Sequence, residues 1–164
     1  MAVPAAILAA ATAGYTAFLF GQCEGRDLWQ TPLLLPTLLA QAVTAGGATF
    51  AILDLFMAIP EPVAVRWALL GGAIATASLV AMESTSAGSP HVEAAVHQMT
   101  RGRYRSRFWS GVLGGLFVPG VLVAVALAGG LGPALPAGAG VLAVVGMWAY
   151  EDSFVRAGQS VPLS

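Results

Sequence analysis

Two carboxyl groups sit within or against long apolar runs. Asp54 lies in Phe50-Ala51-Ile52-Leu53-Asp54-Leu55-Phe56-Met57, and Glu83 closes the run that begins near Val63. Ionisable side chains at membrane depth are costly to place and default to functional candidates, so Asp54 and Glu83 are the candidate proton-relay groups. A carboxyl in such a place can hold a proton or pass it on. The competing reading makes each an interfacial carboxylate that reaches headgroups, or that pairs with Arg66 or an arginine after Glu83. Tyr15 is the third candidate. It falls midway along the first apolar run, where a phenol surrounded by lipid needs a hydrogen-bond partner, and a ligand carbonyl would serve.

The remaining charge gathers in short polar segments. Arg26 and Asp27, in Glu24-Gly25-Arg26-Asp27-Leu28-Trp29-Gln30, form either a salt-bridged turn or a docking edge. Arg101, Arg103, Arg105 and Arg107 follow one another in Arg101-Gly102-Arg103-Tyr104-Arg105-Ser106-Arg107, and Arg156 lies near the C-terminus. Such a run anchors against anionic lipid or docks an acidic partner. His91 and His97 are six residues apart, a spacing that does not put both on one helix face, and neither lies in an apolar run. A metal site and a bis-histidine haem site within this chain are therefore not expected. The single cysteine, Cys23, cannot build a disulfide or a cysteine-ligated cluster alone. Nucleotide-binding glycine loops, hydrolase elbows and zinc motifs are absent from the sequence, which leaves proton or quinone handling rather than covalent catalysis. Whether the chain is itself an enzyme stays open on these residues.

What positions these groups is a membrane. Of 164 residues, 57% are hydrophobic and 9% charged, against about 25% charged in a soluble domain. Mean hydropathy is +0.79. Too little charge is present to cover a water-exposed surface, and a net charge of -1 supplies no basic excess for nucleic acid. A crossing takes about 20 apolar residues. The expected fold is all-α: a polytopic bundle of about five spans in one domain, near 3–22, 32–57, 63–83, 108–128 and 134–150. Pro32 suits a first helical turn, and Pro36, a turn further in, is expected to tilt or kink the second span. The loop 84–107 contains a short helix, Pro90 to Thr100, with Val92, Ala95, Val96 and Met99 on one side, as in a helix lying at the membrane surface. A polar tail is expected from Glu151 to Ser164. Gly71-Gly72, Gly114-Gly115 and Ala137-Gly138-Ala139-Gly140 let helix backbones approach closely. Trp29, Trp67, Trp109 and Trp148 fall near span ends, where indoles prefer to sit.

With five crossings, Arg26, the four arginines of the third loop and Arg156 share one side, and Arg66 stands alone on the other. The positive-inside rule then puts the C-terminus and the loop 84–107 in the cytoplasm and Met1 outside, as a multi-pass protein of a bacterial plasma (inner) membrane. An odd number of spans with an outside start fits a chain whose preceding helices are lost or sit on a partner. The first apolar run lacks a basic flank and is followed by equally apolar runs, so it is not read as a cleaved signal peptide.

Two stretches carry a resemblance. Gly14-Tyr15-Thr16-Ala17-Phe18-Leu19-Phe20 followed by Gly25-Arg26-Asp27-Leu28-Trp29-Gln30-Thr31-Pro32, and the ending Tyr150-Glu151-Asp152-Ser153-Phe154-Val155-Arg156-Ala157-Gly158-Gln159-Ser160-Val161-Pro162-Leu163-Ser164, resemble the NrfD / polysulfide reductase membrane-subunit family. Glu83 at a span end and Thr100-Arg101-Gly102-Arg103-Tyr104 before Phe108-Trp109 look similar too. The chain resembles the C-terminal five-helix portion of such a protein. The resemblance implies a haem-free membrane anchor that exchanges electrons between quinone and an iron–sulfur subunit within a larger respiratory oxidoreductase. It further implies iron–sulfur clusters on that partner, a quinone site shared with a further membrane chain supplying the missing helices, and Tyr15 as the quinone-site tyrosine. Relatives often carry histidine where this chain has Thr37, so no role of that histidine transfers. The alternative expectation is a structural or proton-conducting membrane subunit without its own quinone site. A small transporter would show an inverted repeat and broken helices, and neither is visible.

Overall fold

The computed structural model describes residues 2–85 and 88–162. Met1, Ser86, Ala87 and the Leu163-Ser164 ending, which entered the topology, the third loop and the family resemblance above, lie outside the described residues.

The described chain is helical, and five helices are long and apolar enough to cross a membrane. They are α1 (Ala2–Gly21), α2 (Leu34–Leu53), α3 (Pro62–Thr85), a continuous fourth helix built from α5 (Arg105–Trp109), a π-helical stretch (Ser110–Phe117) and α6 (Val118–Ala128), and α7 (Ala134–Ser160). A 3-10 turn, Asp27–Gln30, joins α1 to α2, and α4 (Pro90–Thr100) bridges α3 and α5.

Proline and its neighbours set the local departures from ideal helix. Pro36 falls within the first turn of α2, which begins at Leu34 rather than near Pro32. Its missing N–H is one of the four that a helix start leaves unpaired in any case, so the expected kink has no cause. Pro119 acts differently. Ahead of it the helix widens, and the Val118 N–H bonds the Leu113 carbonyl, five residues back. A wider turn relieves the clash between the proline ring and the preceding turn.

Between helices in lipid there is no hydrophobic drive, so close backbone approach and hydrogen bonds must hold them. α2 packs along α3 and α7, and α7 packs against the π-helical stretch and α6. A Cβ on Gly47 would meet the Leu69 nitrogen at 2.6 Å, and one on Gly146 would meet the Gly115 Cα at 2.1 Å. Here glycine is a condition of the packing. α1 stands apart: its main contacts are with α2 and the 3-10 turn, and nearly all of its side chains face out of the bundle.

α4 forms as its pattern predicts. Ser89 caps it by accepting from the Val92 N–H, Pro90 opens it, and Ala95 and Met99 are buried. The end of α7 does not form a tail. The helix continues to Ser160 because Phe154, Ala157 and Gly158 on one side are buried against its neighbours. The Arg26 guanidinium also donates to the carbonyls of Gly158, Gln159 and Val161 at 3.1, 3.1 and 2.7 Å, which satisfies that helix end.

Candidate functional site

Glu83 lies in the last turn of α3 with only 5% of its surface exposed. Across from it on α7, Tyr150 is equally buried, and its hydroxyl donates to Glu83 Oε2 at 3.3 Å. The Thr31 side chain lies near the same carboxyl. Oε1 of Glu83 is buried with no hydrogen-bond partner among the described residues. Both residues fall on inward faces by helical spacing: Leu69, Thr76, Val80 and Glu83 form the buried side of α3, and Ala143, Gly146, Tyr150 and Phe154 that of α7.

Next to this pair, Gln41 of α2 donates its Nε2 to Glu151 Oε1 at 2.7 Å. Gln41 shares its face with Thr37 and Thr44, spaced four and three residues away. Thr44 bonds the Thr76 hydroxyl at 3.3 Å. Thr37 Oγ1 is buried without a partner among the described residues. A polar seam therefore runs from Glu83 and Tyr150 along α2 toward the middle of the bundle. From Leu34 to Thr44 it descends about 15 Å at 1.5 Å per residue. Buried polar groups persist in such surroundings only when bonded or when used.

Glu83 also lines a cavity of about 450 Å³, whose wall includes Leu28, Thr31, Leu33, Met82 and Val92. Its volume lies within the range of about 300–1,000 Å³ usual for small-molecule sites. The 3-10 turn and the α2 start form one wall, the ends of α3 and α4 the other. Asp27, also on the wall, accepts from the Ser89 hydroxyl, tying the two walls together. A mostly apolar cavity with a phenol-bonded carboxyl can bind a planar ligand bearing carbonyl or hydroxyl groups and exchange protons with it.

The other expected residues are dispersed. Asp54 caps the far end of α2, a full span from Glu83, so the two do not form a direct pair. Tyr15 is 61% exposed on the outer face of α1, and its hydroxyl has no hydrogen bond among the described residues. The basic residues divide. Arg26 is spent on the end of α7, as above. Arg107 and Arg156 both bind Asp152, the latter through Nε at 2.7 Å. Arg103 lies over the Tyr104 ring at 6.0 Å, and Arg101 and Arg105 are exposed.

Tyr150, Glu151 and Gln41 were not among the sequence candidates. The polar stripe Thr37-Gln41-Thr44 at helical spacing in an otherwise apolar run is the sign that could have found Gln41. The two stretches that carry the family resemblance also meet in space. Trp29 packs on Gly158, where a Cβ would lie 2.3 Å from the indole Nε1, and Arg26 holds the carbonyls beside it.

The profile of the family described as "Polysulphide reductase, NrfD" matches residues 1–162. No curated protein and no solved structure gives a significant match.

Proposed function

Because the chain belongs to the polysulphide reductase NrfD family of membrane subunits of oxidoreductase complexes, we propose that it is the quinone-linked anchor of such a complex. In this reading it exchanges electrons between quinone in a bacterial plasma membrane and an iron–sulfur subunit. A further membrane chain rests on the outward face of α1, and the C-terminal end lies in the cytoplasm. The observation that carries the reading is the buried Glu83 on the wall of the cavity, with Tyr150 bonded to it from behind.

When bound, quinone supplies two-electron redox chemistry coupled to protons. This chain's residues supply the rest. Leu28, Leu33, Met82 and Val92 give the cavity apolar surface against which a ring can pack. In this reading the Glu83 carboxyl gives and takes the proton, its Oε2 bonded by Tyr150 and its buried Oε1 left without a hydrogen-bond partner among the described residues. The single cysteine leaves the clusters to the partner. Tyr15, on the face of α1 that this chain leaves open, would act only in a site shared with the further chain.

The polar seam favours a second reading, in which the same groups conduct protons and the chain has no quinone site. Gentle detergent purification, with identification of every co-purifying chain and extraction of quinone, separates the two. An iron–sulfur protein, a second apolar chain and stoichiometric quinone that falls in Glu83→Gln support the anchor. An intact complex whose quinone content Glu83→Gln leaves unchanged supports the proton path.

A further inference from the structure

A groove runs along the outer side of the bundle between α3 and the fourth helix. Deep in the membrane it is a cavity of about 390 Å³ walled by apolar side chains, among them Leu70, Leu116 and Val121. Ala77 and Val112 are common to that cavity and to the next, of about 330 Å³. Ser84, Thr85, Thr100 and Arg101 in turn join the second to a third, of about 400 Å³, which reaches His97 and Glu93. The result is one continuous channel, apolar below and polar above. From Leu70 to Thr85 it follows α3 for about 22 Å at 1.5 Å per residue. One leaflet contributes half of a hydrocarbon core of about 30 Å, so the groove is deep enough for an acyl chain. Trp109, whose indole N–H donates to the Thr100 carbonyl at 3.0 Å, marks headgroup depth at the upper end.

The hydrogen bonds at the mouth select the occupant. The hydroxyls of Ser84, Thr85 and Thr100 already donate to carbonyls four residues back, at 2.7, 2.8 and 2.8 Å. The Trp109 indole is likewise engaged. The guanidinium of Arg101 has no ion pair or hydrogen bond among the described residues. His97 is the other uncommitted group there, and the single acid on the rim, Glu93, sits in the first turn of α4 where the helix start favours it. Arg103 and Arg105 extend the positive charge beyond Arg101. An arginine fork recognises a phosphate bidentately, and basic pockets between membrane helices take anionic headgroups.

We propose that this groove is a specific site for one anionic phospholipid, its phosphate on Arg101 and one acyl chain past Ala77 into the apolar channel. This proposal is independent of the quinone reading, which uses the cavity on the opposite side of α3's end. The lipid would fill the seam where α3 and the fourth helix do not close on each other, and so brace the π-helical stretch.

The test is native mass spectrometry of the intact, delipidated complex titrated with phosphatidylglycerol or phosphatidylcholine. The wild type should retain one phosphatidylglycerol per chain and exchange phosphatidylcholine freely. Arg101→Gln should weaken phosphatidylglycerol retention about fivefold or more, the size of one arginine's attraction to anionic lipid. Ala77→Phe, which leaves every charge in place and blocks the channel, should abolish it. Equal retention of the two lipids, undiminished retention in Arg101→Gln, or a quinone in place of phospholipid would overturn the proposal. Arg101 is exposed and outside the core, so its variant decides the matter even if Ala77→Phe fails to assemble.

Discussion

Glu83 is a carboxyl held where a membrane protein has least reason to keep one unless it is used. Its burial, its bond from Tyr150 and its place on the cavity wall define what substitution should do. Glu83→Gln keeps the shape and removes the transferable proton, so quinone-dependent turnover of the complex should fall on the order of 10²-fold, the usual size of acid–base assistance. Tyr150→Phe removes only the donor to Oε2 and should cost less, with assembly unchanged. Equal turnover of both variants and wild type would remove the pair from the chemistry. Glu83 was identifiable from sequence because a charge interrupting an apolar run is visible in one dimension. Tyr150 and Glu151 were not, since their importance comes from lying opposite α3 and α2, and long-range pairing leaves no mark in local composition. Tyr15 shows the converse. Its place along the first apolar run is visible in the sequence, but that place does not tell which way a side chain faces, and the structure turns it outward.

The helices themselves were largely readable, because a crossing demands an uninterrupted apolar run and breaks in such runs are conspicuous. The differences lie where polar sequence stays helical or apolar sequence departs from α geometry. α7 continues ten residues beyond the expected span end at Tyr150 because Arg26 and Trp29, more than a hundred residues earlier, complete its end. Gly158→Ala places a Cβ 2.3 Å from the Trp29 Nε1, so it should destabilise by about 1–3 kcal/mol, the usual cost of overpacking. Thermal unfolding in detergent reads this directly. Arg26→Ala should loosen the same end and increase hydrogen exchange at Ala157 to Val161, without altering exchange in α2. The Gly115–Gly146 contact leaves no room for a side chain, so Gly146→Leu should cause loss of folded protein rather than a shifted midpoint. Glycine pairs announce close packing in a sequence, but they do not say which partner they face. The π-helical stretch was not foreseen, although Pro119 gives its cause.

For the molecule as a whole, function depends on which way the bundle sits and on what it touches. All the arginines but Arg66 gather at the end of the bundle that holds the cavity, the 3-10 turn and α4, and the proposed orientation turns that end to the cytoplasm. Cys23, exposed in the loop at the same end, is a native reporter. In intact cells a membrane-impermeant maleimide should leave it unlabelled, and in inverted vesicles it should label fully. The reverse pattern would invert the topology and place the cavity on the outer surface. The chain belongs to a family of membrane subunits that work with other subunits, so its activity is best tested in the assembly. The decisive measurement is therefore made on the whole complex: photolabelling with an azidoquinone, followed by mapping of the modified peptides. Modification is expected on the cavity wall, at Gln30 to Leu33 or at Met82, Glu83, Gly88 or Val92, competed by native quinone and reduced in Glu83→Gln. Competed labelling confined to other subunits or to the outer face of α1, with the cavity wall unmodified, would contradict it.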